Sequence, residues 1–474
     1  MIRNQQTTST EVIETYIRRI ENVNKLINAV VIKNFSNALE TARQVDEYIR
    51  NLDQDSDEFK QLPENKPLLG IPFTVKDCIA VEGFVCTVGI PYRKEAIAQD
   101  DAIVIQRMMN AGGILLAVTN VPEVCMWWET TNSIFGRTNN PYDTRRIVGG
   151  SSGGEGALLA AAGSVIGIGS DIGGSIRIPS AFNGIFGLKP SAEIVPLNGH
   201  YPPIKEGYRT KMLCVGPMCR YAVDLKLMLK VLAAGKSENV LHLSQPVNLQ
   251  KLRLFYMETL NSLLVENTHQ DVVKALKKTV KYFEKKHDIT SYRVDLPLAH
   301  YALPYWATSM DDEDSPPFYR IMSDFDKPHD VNCFAELGKW IFCQSDHTLP
   351  AIFLGLVSHR TQIRGQTRQY IESKRDQLRR EVIDLLREDG ILVFPSFATA
   401  PPFHNQPIFT PLNFSYTALW NALALPSIVC PVGLNEDGVP LSVQLVGAPH
   451  SDSLLIAAAY ELEQGFGGWT PPGQ

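Results

Sequence analysis

Residues 149–179 read GGSSGGEGALLAAAGSVIGIGSDIGGSIRIP. A helical apolar pattern over 154–163 runs into a β-like run over 165–171, and a glycine-serine loop flanks the pair on each side. Upstream, strand-like runs at 71–76 and 114–120 alternate with a helical pattern at 100–111. That alternation predicts an α/β fold, a layered sheet packed by helices. Downstream, helical periodicity covers about 221–234, 267–286, 358–388 and 452–464. Strand-like runs cover 252–256, 290–295, 391–395, 427–432 and 441–446. Residues 51–68 read as a polar surface connection, 190–220 as an irregular link, and 300–346 as an aromatic-rich insertion without a clean period. Thr8 with Glu11 forms a capping box ahead of apolar Ile13, Ile17 and Ile20, a β-like run follows at 29–32, and a second amphipathic helix extends to about Arg50. Neither a repeat nor a convincing linker divides the chain, so one domain over 1–474 is expected.

Glycine lets a backbone approach a ligand closely, so the two loops predict two backbone surfaces facing one small site. Successive N–H groups of a Gly-Gly-Ser turn can converge on a point, the geometry of an oxyanion hole. A phosphate cradle would want Gly-Lys-Ser/Thr after one of the loops, and neither loop has it. An α/β-hydrolase would want G-x-S-x-G with a later catalytic histidine. All ten histidines lie at 200 or beyond, in no motif that marks a catalytic partner. The base for a serine nucleophile must then be another residue.

Lys76, at the end of the apolar run Gly70-Ile71-Pro72-Phe73-Thr74-Val75-Lys76-Asp77, is the candidate. On this segment alone a surface pair with Asp77 is the stronger reading. A free lysine loses its proton near pH ~10.4, so service as a base at neutral pH demands a fall of about 3 units, or roughly 4 kcal/mol. Full desolvation can supply about that much.

Composition removes several classes. A net charge of −6 offers no basic stripe for nucleic acid, and the lysine run at 277–286 reads as a solvated helix face. The eight cysteines, at 78, 86, 125, 214, 219, 333, 343 and 430, show no metal-ligand spacing and fit buried, reduced thiols. No apolar run is long enough to cross a membrane as a helix, and no signal peptide opens the chain.

The joint pattern of Val75-Lys76-Asp77, Gly149-Gly150-Ser151-Ser152-Gly153-Gly154 and Gly173-Gly174-Ser175-Ile176-Arg177 resembles the amidase signature family, in order and over almost the whole chain. The resemblance implies a large mixed, twisted β-sheet covered by helices on both faces. It implies Ser175 as nucleophile, Ser151 as a bridging serine after a cis peptide bond, and Lys76 as base. It further implies an oxyanion hole from the N–H groups of Ile172, Gly173, Gly174 and Ser175. Ser152, Asp171 and Arg177 would orient this network, and Cys125 and Met126 would border the substrate. Cys125 lacks a basic partner nearby in sequence and is a poor nucleophile candidate. No cofactor and no metal are implied.

Within the family, Glu155, Ile178 and the run His347-Thr348-Leu349-Pro350-Ala351 are similar to the fatty-acid amide hydrolases of the second type, whereas Leu188 departs from that pattern. The implied substrate is a small-molecule lipid amide, primary or N-acyl. Tyr301, Tyr305, Trp306, Phe318, Phe334, Trp340, Phe342 and Phe353 either line an acyl channel or simply pack the insertion. A short-chain or aryl amidase of the same mechanism, and the glutaminase subunit of a tRNA-dependent amidotransferase, are the competing readings. Such hydrolases often carry an upstream N-terminal membrane anchor. The expectation is therefore an intracellular enzyme, with membrane association through a segment outside this chain and a homodimer both open.

Overall fold

The computed structural model describes residues 1–473 apart from 205–206, 312–315, 326–329 and 359–362. Eleven strands form one mixed sheet. From one edge the order is Val30–Lys33, Ile114–Thr119, Pro72–Lys76, Ile166–Asp171, Cys214–Cys219, Phe186–Lys189, Ser427–Leu434, Pro440–Val446, Gly390–Pro395, Arg253–Tyr256 and Ser291–Arg293. Pro72–Lys76 runs parallel to both its neighbours, so the C-terminal ends carrying Lys76, Thr119 and Asp171 lie together. Ligands of α/β sheets gather at such carboxyl ends.

Alternating side chains of single strands feed two cores. Ile391, Val393, Ile428, Cys430, Val443 and Leu445 enter one, while Leu392, Phe394, Val429 and Val446 enter the other. A sheet buried on both faces reads as continuous apolar runs rather than alternation, which is why these strands were legible only as runs. The capping box forms as expected on the helix Ser9–Ile27, with Thr8 Oγ1 accepting from Glu11 N–H and Glu11 accepting from Thr8 N–H. On the helix Gln270–His287 the lysines are exposed and Val272, Leu276, Val280 and Phe283 face inward.

Three expectations need correction. The irregular link contains a central strand, Cys214–Cys219, whose Gly216 and Pro217 disguise it. A Cβ on Gly216 would collide with the Leu188 carbonyl of the neighbouring strand, so glycine is required there. The polar connection after residue 51 holds a helix, Asp57–Asn65, capped by Ser56. The long helix expected over about 358–388 is described over Gly365–Leu386, a separate helix Leu349–Ser358 precedes it, and 359–362 lie outside the described residues. The insertion carries the helices Ala302–Met310, Phe318–Met322 and Cys333–Ile341.

Candidate active site

Lys76 ends its strand with its side chain 1% exposed, directed at the first glycine-serine loop. Its Nζ lies 2.6 Å from Ser151 Oγ, 3.0 Å from Ser170 Oγ and 3.3 Å from the Ser170 carbonyl. The Gly150–Ser151 peptide is cis, and the helix Gly153–Ala160 starts directly beyond Ser152. Gly150 admits no side chain, because a Cβ would collide with the Trp127 carbonyl.

The surface pair with Asp77 does not form. Asp77 is buried and turned to Thr87, accepting from its N–H at 2.9 Å and from its hydroxyl. Burial pushes the Asp77 carboxyl up to about 6, against the hydrogen bonds from Thr87. The other nearby carboxyl, Glu155, accepts from Thr74 Oγ1 at 2.7 Å and Thr119 Oγ1 at 2.9 Å. Burial pushes Glu155 up to about 8, although Thr74, Thr119 and Lys76 pull the other way. A carboxyl that keeps its proton at neutral pH supplies no counter-charge. Lys76 thus has no ion pair among the described residues, and an unpaired buried ammonium is costly.

The second loop brings Ser175 to the first through its backbone: the Ser175 carbonyl accepts from Ser152 N–H at 3.0 Å. The Ser175 side chain is half-buried, and its hydroxyl makes no hydrogen bond among the described residues. Ser152 Oγ reaches the Ser170 carbonyl at 3.4 Å.

Beneath the loop sits a buried ion pair. Arg177 donates to Asp171 from Nε at 3.0 Å and Nη2 at 2.9 Å, and also to the Thr417 carbonyl, Gln444 Oε1 and Asn421 Oδ1. Burial alone would raise the Asp171 carboxyl, but Arg177 and Asn421 hold it well below the usual carboxylate range. Asp171 in turn accepts the N–H groups of Gly174 and Ile176 at 2.8 and 3.1 Å. So of the four N–H groups expected to hold an oxyanion, that of Gly174 is already engaged. Gly174 sits at φ +124°, where a Cβ would also strike Thr417.

Two contacts aim the rest of the loop. Trp306 Nε1 donates to the Ile172 carbonyl at 2.8 Å, and Thr417 Oγ1 donates to the Gly173 carbonyl at 2.7 Å. A planar trans peptide points its N–H opposite its carbonyl, so holding the Ile172 carbonyl on Trp306 turns the Gly173 N–H the other way.

Cys125 ends the short helix Glu123–Cys125, and Met126 caps it. Cys125 is packed in the larger core and Met126 against it. Burial and the neighbouring Cys78 push the Cys125 thiol well above its usual range, the opposite of an activated nucleophile. Seven of the eight cysteines are buried free thiols, and Cys343 is exposed. The aromatic insertion divides. Trp306 stacks edge-on with Phe414 at 5.0 Å over Gly173, Tyr305 is core, and Phe334, Trp340, Phe342 and Phe353 are exposed.

Sequence reasoning missed Ser170, His200, Thr417, Asn421 and Gln444, and it named Trp306 only as one of the insertion's aromatics, not as a partner of the Ile172 carbonyl. Only Ser170 carried a local signal, by standing next to Asp171 at the end of its strand.

An uncharged-partner amine on one serine, beside a second, half-buried serine in a loop of aimed N–H groups, equips a protein to cleave acyl bonds by a serine mechanism. The chain is an amidohydrolase of this class. It belongs to the amidase family, whose sequence pattern matches residues 11–456. Among its relatives, Fatty-acid amide hydrolase 2 of Homo sapiens is 41% identical over 481 residues, covering 100% of this chain and 89% of that protein. Fatty-acid amide hydrolase 2-A of Danio rerio is 44% identical over 484 residues, covering 100% and 88%. Among solved structures, a fatty acid amide hydrolase matches with a TM-score of 0.76 at 21% identity over 98% of this chain and 84% of that one. A bacterial aryl acylamidase of the amidase signature family matches with a TM-score of 0.76 at 22% identity over 100% and 96%. Both support the mixed-sheet fold.

Proposed function

We propose that this chain hydrolyses fatty-acid amides through an acyl-enzyme on Ser175, with Lys76 and Ser151 as its proton relay. The carrying observation is the 2.6 Å contact of a buried Lys76, without a carboxylate partner, to Ser151 Oγ. Uncharged Lys76 takes the proton of Ser151, which takes that of Ser175, and Ser175 Oγ bonds to the amide carbonyl carbon. The N–H groups of Ile172, Gly173 and Ser175 receive the oxyanion, while Asp171 holds the Gly174 N–H and fixes the loop. The carbon–nitrogen bond then breaks, and the proton returns from Lys76 through Ser151 to the leaving nitrogen. Water releases the acid by the same relay.

The lipid substrate is supported by the whole-length likeness to the two relatives named above and by Trp306 and Phe414 walling the loop. Burying a methylene contributes about 0.8 kcal/mol. Across a panel of acyl lengths, kcat/KM is expected to climb severalfold per added methylene until the channel is full. A plateau at short or aryl acyl groups would favour the general amidase instead. Mass spectrometry of products from a mixture of lipid amides would name the preferred substrate.

No helix among the described residues is long and apolar enough to cross a membrane. The helices Cys333–Ile341 and Leu349–Ser358 nevertheless expose Phe334, Trp340, Ile341, Phe342, Phe353 and Val357. Between them, His347 Nδ1 and the Thr348 N–H and hydroxyl bind Glu123, two residues before Cys125. We read this apolar face as resting on a lipid surface next to the site, where the substrate would enter. Co-sedimentation with phosphatidylcholine vesicles should fall severalfold in the double variant Ile341→Ser, Phe342→Ser. Equal sedimentation of variant and wild type would remove the face from that role.

A further inference from the structure

His200 lies far from the glycine-serine loops in sequence, and the relay described above does not use it. It is partly buried, and its ring spans two partners. Nδ1 is 3.3 Å from the Pro202 carbonyl, and Nε2 is 3.1 Å from Ser170 Oγ. A carbonyl can only accept, so Nδ1 carries the proton and Nε2 of the neutral ring is an acceptor. The Ser170 hydroxyl therefore donates to Nε2, and its lone pairs face Lys76 Nζ at 3.0 Å.

An uncharged amine has two protons to donate and one lone pair. Lys76 meets three partners, and two of them, the Ser170 carbonyl and a Ser170 hydroxyl turned toward His200, are acceptors. The lone pair is left for the third, Ser151 Oγ at 2.6 Å. Without His200, the Ser170 hydroxyl is free to swing its proton onto that lone pair and compete with Ser151. A proton on Nε2 has a stronger effect: the ring then donates to Ser170 Oγ, and the Ser170 proton must turn toward the amine.

We propose that His200 is a positioning residue for Lys76, holding the Ser170 hydroxyl as an acceptor so that the lone pair of the amine is reserved for Ser151. This rests on the relay proposed above. The groups facing the ring are Lys76, through Ser170, and Cys78, whose Sγ is 3.5 Å from both His200 Nε2 and Ser170 Oγ. Burial raises the Cys78 thiol, but a hydrogen bond with Cys125 and, in their protonated forms, His200 and Lys76 bring it well below its usual range. A Cys78 thiol could donate to the same ring nitrogen in place of the Ser170 hydroxyl, so Cys78 belongs in the test.

The test compares wild type with His200→Ala, His200→Gln, Ser170→Ala, Cys78→Ala and the double variant His200→Ala, Ser170→Ala. The readouts are the rate of Ser175 labelling by a fluorophosphonate and kcat/KM for an amide, both between about pH 5 and pH 9. His200→Ala should lose about 10- to 100-fold at neutral pH, the usual scale for removing an orienting partner. The wild-type rate should fall at its acid end one proton more steeply than that of either His200 variant. Glutamine, whose amide oxygen can accept from Ser170 but takes up no proton, should restore most of the neutral rate without restoring that steepness. The double variant should lose no more than Ser170→Ala alone.

A wild-type rate and profile in His200→Ala, additive losses in the double variant, or the same loss in Cys78→Ala would each overturn the proposal. If His200→Ala does not fold, the acid limb of His200→Gln decides in the same way. Wild-type protein that the fluorophosphonate does not label at Ser175 would instead overturn the relay itself.

Discussion

Ser175→Ala is expected to abolish amide turnover and fluorophosphonate labelling, with a loss of about 10⁴-fold or more. The fold should be untouched. The Ser175 hydroxyl has no hydrogen-bond partner among the described residues, and what ties this residue to the first loop is its carbonyl, on Ser152 N–H. Alanine keeps that carbonyl and leaves no buried polar group unpaired, so stability should change by only about 0.5 kcal/mol. A kinetic loss of this size with an unchanged Tm places the nucleophile. Residual labelling of the variant at Ser151 or Cys125 would relocate it.

The second large effect is that of Lys76→Ala. Removing a general base typically costs about 10²- to 10⁴-fold, and in the proposed relay the base serves both halves of the reaction, so the upper end is expected. The pH dependence carries the diagnosis. With the amine gone, only hydroxide is left to take the serine proton, and the rate should rise about tenfold per pH unit. On the proposed relay, wild type should be much flatter above its acid limb. The deficit therefore widens toward the acid side of neutral. A variant that loses rate but keeps the wild-type profile would exclude lysine as the base.

The parts of this site legible in the sequence are those whose chemistry is local. Two glycine-serine loops flanking a helix and a strand declare a backbone-built site, because glycine is needed wherever a Cβ would strike a neighbouring chain, as at Gly150 and Gly174. The capping box at Thr8 is legible for the same reason, since both partners lie within one turn. The three motifs, Lys76, Ser151 and Ser175, were gathered by family resemblance. No spacing rule places a lysine against a serine 75 positions later.

The illegible parts are long-range. Arg177 looked like an orienting residue, but its acceptors on Thr417 and Gln444 lie 240 and 267 positions away. Trp306 was one aromatic among eight until the structure set its indole N–H on the Ile172 carbonyl. Cys214–Cys219 was hidden because a strand buried on both faces, with Gly and Pro at its centre, shows neither alternation nor an uninterrupted apolar run. His200 was passed over because a histidine outside a motif carries no sign of the hydroxyl it will meet.

The account depends on an uncharged amine at Lys76. Protein carrying ¹³Cε,¹⁵Nζ-labelled lysine, with Lys76→Met to assign the signal, reads that state by NMR. The Lys76 resonance should have the position of a neutral amine at about pH 7, where ordinary lysines are still ammonium. An ammonium resonance at that pH, titrating together with the surface lysines, would contradict the proposed relay.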